Sequence, residues 1–146
     1  MSTILLIHGP NLNKLGLRDR TQYGSLTLPD LEALVKAESG KLGYAVESFQ
    51  SNHEGGLIDH LQERSGVAVG IIINPGAFTH YSYALYDALK DTGLPVVEVH
   101  LSDINNREEF RKISVTVPAC IAQISGKKEL GDEEAVRVLH EHLSMK

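Results

Sequence analysis

The chain has one cysteine and no long hydrophobic run, and both shortages narrow the kinds of protein it can be. Cys120 has no second cysteine to pair with, so no internal disulfide can form, which suits the reducing cytoplasm. The apolar opening at residues 4–7 is far too short for a signal peptide or a membrane span. We therefore expect a cytoplasmic protein that does not associate with a membrane.

The chain also lacks a surplus of basic residues. Its 14 lysines and arginines are outnumbered by 19 aspartates and glutamates, which gives a net charge of −5. Because affinity for nucleic acid depends mostly on neutralised phosphates, this balance argues against a DNA- or RNA-binding protein. A few arginines can still converge in an acidic protein, so local binding of a small anion stays open.

Motifs of several other protein classes are missing. The sequence has no Walker-type or G-x-G-x-x-G run, which disfavours a phosphate- or flavin-binding module. None of the seven histidines belongs to an H-E-x-x-H motif, which disfavours a metal-dependent hydrolase. The sequence has no internal repeat or low-complexity tract, so we expect a single domain over residues 1–146.

Short apolar runs alternate regularly with helical patterns along the chain. Strands are predicted at residues 3–8, 44–50, 69–73, 95–99 and 120–124. The first and third runs are apolar on both faces, as in a parallel sheet that is covered on both sides. Five strands separated by helices predict an α/β fold, a flavodoxin-like doubly wound five-stranded parallel sheet with helices on both faces.

Apolar residues between the strands recur at helical spacing. The four stripes are Leu28, Leu31, Leu34, Val35 and Leu42; Leu57, Ile58 and Leu61; Tyr81, Ala84, Leu85, Ala88 and Leu89; and Ala135, Val138, Leu139 and Leu143. Thr27 and Asp30 predict a capping box at the start of the first helix. Asp132 is predicted to cap the last helix.

Three of the predicted strands run into segments with polar side chains, at residues 8–13, 74–80 and 98–102, and the first two of these segments also contain glycine. Because doubly wound sheets bind ligands at the carboxyl ends of their strands, we expect these segments to meet at one site. Gly-Pro-Asn and Asn-Pro-Gly are also ordinary turn sequences, so each segment alone is more typical of a structural turn. A signalling receiver would need clustered aspartates after the first strand, where this chain has His8-Gly9-Pro10-Asn11.

The connection between the first strand and the first helix is unusually long. It spans about 18 residues, whereas such connections typically run 2–6. It carries Arg18, Arg20 and Tyr23, with Gly16 and Gly24 as possible pivots, and shows no apolar periodicity. We predict a structureless lid over the site, at about residues 12–26.

Two further arginines, Arg107 and Arg111, follow the fourth strand. Spaced four apart, they would share one face of a helical turn and, with Arg18, focus positive potential at the site. Glu108 and Glu109 lie between them, which leaves open the alternative of a solvated charged turn.

At these residues the sequence closely resembles type II 3-dehydroquinate dehydratase, the dehydroquinase that works without a Schiff-base lysine. The matching segments are residues 5–13, Leu15-Gly16, Arg18, Tyr23-Gly24, residues 50–55, residues 74–77, Thr79-His80, residues 98–102 and residues 107–111. They occur in the same order as in the family, whose fold is the flavodoxin-like one. The resemblance implies a lyase of the shikimate pathway, and so of chorismate and aromatic amino acid biosynthesis; the same dehydration is also a step of quinate breakdown, which stays open as the alternative role. It would convert 3-dehydroquinate to 3-dehydroshikimate with no cofactor and no metal.

The resemblance also implies an anti elimination through an enolate. The family's tyrosine base maps onto Tyr23 and its acid onto His100. Asn11 would hold a water that stabilises the enolate oxygen, and Arg18 would close over the site with the lid. The substrate's hydroxyls and carboxylate would be bound by Asn74, His80, Arg111 and the backbone around Leu101 and Ser102. The supporting residues are Arg107, Glu98, Gly76 and Ala77.

A tyrosine base needs cations beside it, because a phenol has an ordinary pKa of ~10. Lowering such a value by ~2 units requires a preference of ~3 kcal/mol for the charged form, which nearby cations can supply. The candidate cations are Arg18, Arg20 and Arg107, with Arg107 first by the family pattern.

Family members form trimers that assemble into dodecamers, and the resemblance implies the same homo-oligomer here. Asp87 matches the family aspartate that reaches into the site of an adjacent subunit. His80, Tyr83 and Asp87 share a helix face away from the apolar stripe, which is free to meet either another subunit or solvent.

The chain departs from the family at Asp19-Arg20, at residues 103–106 and at residues 123–134. These segments lie outside the proposed acid and base. A non-catalytic protein that binds a small anion or phosphate on the same fold stays open as the alternative function.

Overall fold

A computed structural model describes residues 1–145. Its five strands form one parallel sheet in the order β2-β1-β3-β4-β5. The strands are β1 Ser2–His8, β2 Tyr44–Gln50, β3 Gly70–Asn74, β4 Val96–His100 and β5 Ala122–Ser125; the α-helices are α1 Arg20–Tyr23, α2 Leu28–Lys41, α3 Glu54–Arg64, α4 Tyr83–Asp91 and α5 Glu129–Ser144. This strand order is the flavodoxin-like one, so the predicted fold class is confirmed.

The core has two layers, one on each face of the sheet, because successive strand side chains point to opposite faces. Ile4 and Leu6 of β1 pack with apolar residues of α2 and α5. Leu5 and Ile7 pack with those of α3 and α4. All four are at most 1% exposed, and full burial of such a side chain contributes ~1.5–3 kcal/mol. The unbroken apolar runs of the sequence follow from this double coverage.

The predicted helices are present, but two of their apolar stripes need correction. Leu42, predicted on the first stripe, follows the last residue of α2 and is 38% exposed. The other correction concerns α4. Leu85, Ala88 and Leu89 are buried as expected, but Ala84 and Tyr81 are exposed, so the predicted stripe was wrong at these two positions. Ser82 caps the helix by accepting a hydrogen bond from the Leu85 N–H (3.0 Å), which places Tyr81 before the first turn. No helix within residues 1–145 is long and apolar enough to cross a membrane.

The start of α2 is as predicted, since Thr27 and Asp30 form the reciprocal capping box. The long connection before it was wrongly predicted to be structureless. Residues Leu12–Lys14 form a 3-10 turn, and Leu12 and Leu15 are buried against α2. Asp19 caps α1 by accepting a hydrogen bond from the Thr21 N–H (2.9 Å). Asp19 is one of the residues at which the chain departs from the family sequence, and it starts the helical turn that carries Tyr23.

The prediction that Asp132 caps the last helix was wrong, because α5 begins at Glu129 and Asp132 lies inside its first turn. Asp132 is only 3% exposed. Burial raises the pKa of Asp132 to about 6, although His8 on β1 offsets part of the rise. His8 is itself buried, and its Nε2 lies 3.5 Å from Glu32 of α2.

Replacement of Asp132 by asparagine is expected to stabilise the protein at alkaline pH. A carboxyl whose folded pKa lies above its unfolded value lowers stability as pH rises through that range, here from about 4 to about 6. We expect Asp132→Asn to add about 3 kcal/mol to the free energy of unfolding at pH 8 and little at pH 4. Urea titrations at both pH values measure this, with Glu141→Gln on the exposed side of α5 as control. An equal gain at both pH values would contradict it.

Lys128, which precedes α5, has φ 50° and ψ −134°, a backbone region that favours glycine. Such a conformation destabilises the folded protein by roughly 1–3 kcal/mol when the residue carries a side chain. Glycine avoids this strain, but its greater freedom in the unfolded chain costs up to ~1 kcal/mol of stability. Lys128→Gly is therefore expected to raise the free energy of unfolding by about 1 kcal/mol. Lys127→Gly, next to it, should lower that free energy. Destabilisation by both changes in urea titrations would show that Lys128 is not strained.

Candidate active site

The carboxyl ends of β1, β3 and β4 open onto one cleft, as the strand-end rule predicts. The predicted site residues that line it are Asn11, Arg18, Tyr23, Asn74, Gly76, Ala77, His80, His100, Leu101, Ser102, Arg107 and Arg111. Pro10 and Leu12, inside the predicted segment 8–13, also line the cleft, although neither was assigned a role. Ile104 lines it as well and was missed, because its apolar side chain carried no chemical signal. Two predicted residues lie elsewhere: Glu98 is fully buried behind His100, and Asp87 is on the outer side of α4.

The turns after β1 and β3 are in direct contact, which explains their glycines and prolines. A Cβ on Gly9 would lie 2.3 Å from the Pro75 carbonyl oxygen, so only glycine fits there. Gly76 has φ +60° and packs against Pro10. The two turn sequences are therefore structural and also form the floor of the cleft.

Tyr23, at the end of α1, lies between two guanidinium groups. Arg107 Nη1 donates a hydrogen bond of 2.8 Å to Tyr23 Oη and another of 3.2 Å to Ser102 Oγ. The Arg18 guanidinium carbon lies 3.7 Å from the centre of the tyrosine ring. The phenol oxygen therefore accepts a hydrogen bond from one cation, and a second cation covers the ring. Arg20, the third candidate cation, is exposed and outside the cleft lining of residues 1–145.

Positive charge is concentrated at this end of the sheet. Burial lowers the pKa of Arg18, and repulsion from Arg107 and Arg111 adds to this, while attraction to Tyr23 opposes it. The side chains of Arg107 and Arg111 are only 13% and 26% exposed, although Arg111 Nε donates to the exposed Glu108 carboxylate at 2.7 Å. Both arginines line the cleft, and Arg111 also keeps the ion pair that a charged turn would have.

His100 and Glu98 lie on the same face of β4, since residues two apart on a strand point the same way. The distance from His100 Nε2 to Glu98 Oε2 is 2.9 Å. Burial alone would disfavour the charged carboxylate, but hydrogen bonds with His100, Thr116 and Gln123 outweigh it and lower the pKa of Glu98 to about 2. An ionised carboxylate only accepts, so Nε2 carries a proton and Nδ1 is the ring nitrogen left for a ligand.

The carboxylate of Glu98 is held by a network that the sequence did not reveal. Besides His100, it accepts hydrogen bonds from Thr79 (3.1 Å), Ser114 (2.9 Å), Gln123 (2.7 Å) and Thr116. Four chain segments thus supply donors to one buried charge, and their hydroxyl and amide side chains resemble ordinary surface residues when read along the chain.

Asn74 and His80 present polar atoms with fixed orientations. Asn74 Oδ1 accepts from the Gly76 N–H (3.0 Å), so the Asn74 NH₂ group stays available to a ligand. His80 Nδ1 donates to the Ile113 carbonyl (2.7 Å), because a carbonyl only accepts, and Nε2 is then an acceptor. Burial lowers the pKa of His80, so this ring is neutral near pH 7.

The exposed side of α4 carries Tyr83 and Asp87. The prediction that His80 shares this helix face was wrong, because α4 begins at Tyr83 and His80 ends the preceding 3-10 turn. Tyr81 also precedes the helix. Tyr81 and Tyr83 are 60% and 69% exposed, and Phe110 and Ile113, past β4, are 59% and 60% exposed. Asp87 is also exposed and does not reach the cleft of its own chain. Among residues 1–145, no three His, Cys, Asp or Glu side chains are grouped so that they could hold a metal ion.

Comparison with known proteins finds relatives that match nearly the whole chain. The family described as Dehydroquinase class II matches residues 2–140. The 3-dehydroquinate dehydratase of Bacillus cytotoxicus is 52% identical over 143 residues, 98% of each chain, and that of Bacillus mycoides is 50% identical with the same coverage. Among solved structures, the type II dehydroquinase of Butyrivibrio crossotus superposes with a TM-score of 0.91 at 46% identity, covering 94% of this chain and 97% of that one. The type II dehydroquinase of Propionibacterium acnes superposes with a TM-score of 0.92 at 35% identity, covering 97% of each chain. The chain therefore belongs to the class II dehydroquinase family.

Proposed function

We propose that this protein dehydrates 3-dehydroquinate to 3-dehydroshikimate in the cytoplasm, as a step of the shikimate pathway, by anti elimination without a metal or a Schiff base. One observation carries the proposal: a single cleft contains a phenol held by two guanidinium groups and an imidazole held by a buried carboxylate. The first pair suits a base, and the second suits an acid.

Tyr23 starts the reaction as a phenolate that takes a proton from the carbon next to the ketone. Arg107 donates to its oxygen and Arg18 covers its ring, so the negative charge on Tyr23 is stabilised before the substrate reacts. The electron pair left by the proton forms the enolate. Asn11, at the edge of the cleft, holds the water that donates to the enolate oxygen.

His100 completes the elimination. The enolate collapses to the conjugated ketone, the carbon–oxygen bond breaks, and His100 gives its proton to the departing hydroxyl, which leaves as water. The Glu98 carboxylate accepts a hydrogen bond from Nε2 and so orients the imidazole, and the proton that is transferred is the one on Nδ1. Return of the Tyr23 proton to solvent and reprotonation of His100 restore the enzyme.

The remaining cleft residues bind the substrate. It is an anion with several hydroxyls, so it needs a cation and neutral donors and acceptors. Arg111 and the backbone N–H groups of Leu101 and Ser102 hold the carboxylate, while Asn74 and His80 bind hydroxyls. Of the predicted lid at residues 12–26, the part between the pivots Gly16 and Gly24 closes over the bound substrate, because Leu12 and Leu15 are buried against α2.

The protein assembles as trimers that associate into dodecamers, and Asp87 reaches the cleft of an adjacent subunit. The exposed Tyr81 and Tyr83 beside Asp87 support this, because apolar surface of this kind is common at subunit contacts. Residues 1–146 then act as one catalytic domain per subunit.

The proposal is tested by incubating the protein with 3-dehydroquinate and measuring the ultraviolet absorbance of the conjugated enone product as it forms. Turnover that survives a chelator and borohydride treatment is expected, because neither a metal nor an imine takes part. A folded protein without turnover would contradict the proposal and favour the non-catalytic anion-binding module.

A further inference from the structure

The segment Gln-Ser-Asn-His-Glu-Gly at residues 50–55 begins at the last residue of β2 and continues into α3, and none of these six described residues lines the cleft. It nevertheless contacts the turn that leaves β1. His8 pairs with Gln50 in the sheet, and the Ser51 N–H donates to the His8 carbonyl at 3.1 Å, which continues the ladder by one bond. The end of β2 therefore supports the backbone that leads to Asn11.

Asn11 has an unusual backbone conformation, with φ 70° and ψ −4°. Within residues 1–145, Lys128 is the only other non-glycine residue with positive φ. The left-handed region costs an L-residue of order 1–2 kcal/mol, and asparagine tolerates it better than most. Asn11 therefore keeps this conformation only if other groups hold it there.

Asn52 supplies the contact that holds Asn11. The Asn11 N–H donates to Asn52 Oδ1 at 3.0 Å, and Gln50 Nε2 donates to the same oxygen at 3.1 Å. Gln50 Nε2 also donates to the Gly9 carbonyl at 3.1 Å. Both lone pairs of the Asn52 oxygen are thus occupied, which fixes the orientation of its amide.

The side chain of Asn11 is left free by this arrangement. It lines the cleft and makes no hydrogen bond to any other residue of the described range 1–145. Its backbone is fixed from behind through Asn52, while its amide remains available to a ligand.

We infer that Asn52 is a positioning residue for the dehydration: it holds Asn11 in the left-handed conformation that presents the Asn11 amide to the reacting ketone. The inference rests on the proposed function, in which Asn11 acts through a water on the enolate oxygen. Because the enolate charge develops only along the reaction, loss of Asn52 lowers kcat and leaves KM nearly unchanged.

A double-mutant cycle tests this inference. Removal of a group that donates to a developing oxyanion lowers kcat by ~10²–10³-fold. Asn52→Ala leaves the Asn11 amide in the protein and only loosens its position, so it is expected to lower kcat by a smaller factor, roughly tenfold. In an Asn11→Ala background, the same change is expected to have no further effect on kcat, because Asn52 acts only through Asn11. Asn52→Asp keeps an acceptor for the Asn11 N–H and should restore kcat to within about threefold of wild type. Gln62→Ala, an exposed amide on α3, is the matched control and should leave kcat unchanged.

Full kcat in Asn52→Ala, or an additive loss in the Asn11→Ala background, would overturn the inference. If Asn52→Ala does not fold, Gln50→Met removes the donor that orients the Asn52 amide, and the same cycle is run with that variant. Its loss of kcat must likewise vanish in the Asn11→Ala background. Wild type without turnover would contradict the proposed function and this inference together, whereas additive losses in an active enzyme contradict the inference alone.

Discussion

Replacement of Tyr23 by phenylalanine is expected to lower kcat for 3-dehydroquinate by about a thousandfold, within the range for loss of a general base. The change removes only the phenol oxygen that would take the proton. The aromatic ring stays under the Arg18 guanidinium, so the local packing is kept. KM should change little, because the lost group acts on a proton that moves only during the reaction.

The matched control for this variant is Tyr86→Phe, which removes a phenol oxygen from α4, outside the cleft lining of residues 1–145. Both variants are compared with wild type by enone absorbance and by circular dichroism. If Tyr23→Phe kept more than about a tenth of wild-type kcat while folded, Tyr23 would not be the base.

Replacement of His100 by glutamine is expected to lower kcat by a similar factor, about 10²–10⁴. Glutamine can still donate a hydrogen bond to the buried Glu98 carboxylate, but its amide cannot give up a proton to a leaving hydroxyl. The donors from Thr79, Ser114, Thr116 and Gln123 stay in place, so the variant should fold. His142→Gln near the end of α5 is the control, with unchanged kcat.

The His100 variant also separates the two proton transfers. In deuterated water, a working Tyr23 should exchange the substrate proton next to the ketone even when elimination is blocked. We expect nuclear magnetic resonance to show exchange in His100→Gln that is faster than product formation, and neither process in Tyr23→Phe. Absence of exchange in the His100 variant would assign His100 to the first step as well.

The sequence allowed the fold to be predicted because each buried strand is a short apolar run and each connecting helix has a periodic stripe. The cleft was predictable for a related reason. Parallel strands bring their carboxyl ends to one edge, so the segments after His8, Asn74 and His100 had to meet. The roles of Tyr23 and His100 came from the family resemblance, and their surroundings now give physical reasons for those roles.

Contacts between distant segments could not be predicted. Gln123 donates to a carboxylate 25 positions earlier, and Asn52 accepts from Asn11 41 positions earlier, with no periodicity to relate them. In the sequence Asp132 resembles an ordinary helix cap. Its burial could not be predicted, because it depends on how α5 lies against β1. The turn of helix that carries Tyr23 was missed because four residues are too few for a periodic signal.

Glu98 has a consequence for how this protein can change during evolution. Its charge orients the proposed acid and also holds together Thr79, Ser114, Thr116 and Gln123. Loss of Tyr23 can give an inactive protein that still folds, whereas loss of the Glu98 charge leaves several buried donors without a partner. A descendant that abandoned catalysis would therefore shed Tyr23 early and retain Glu98, so a retained glutamate at this position does not by itself mark an active enzyme.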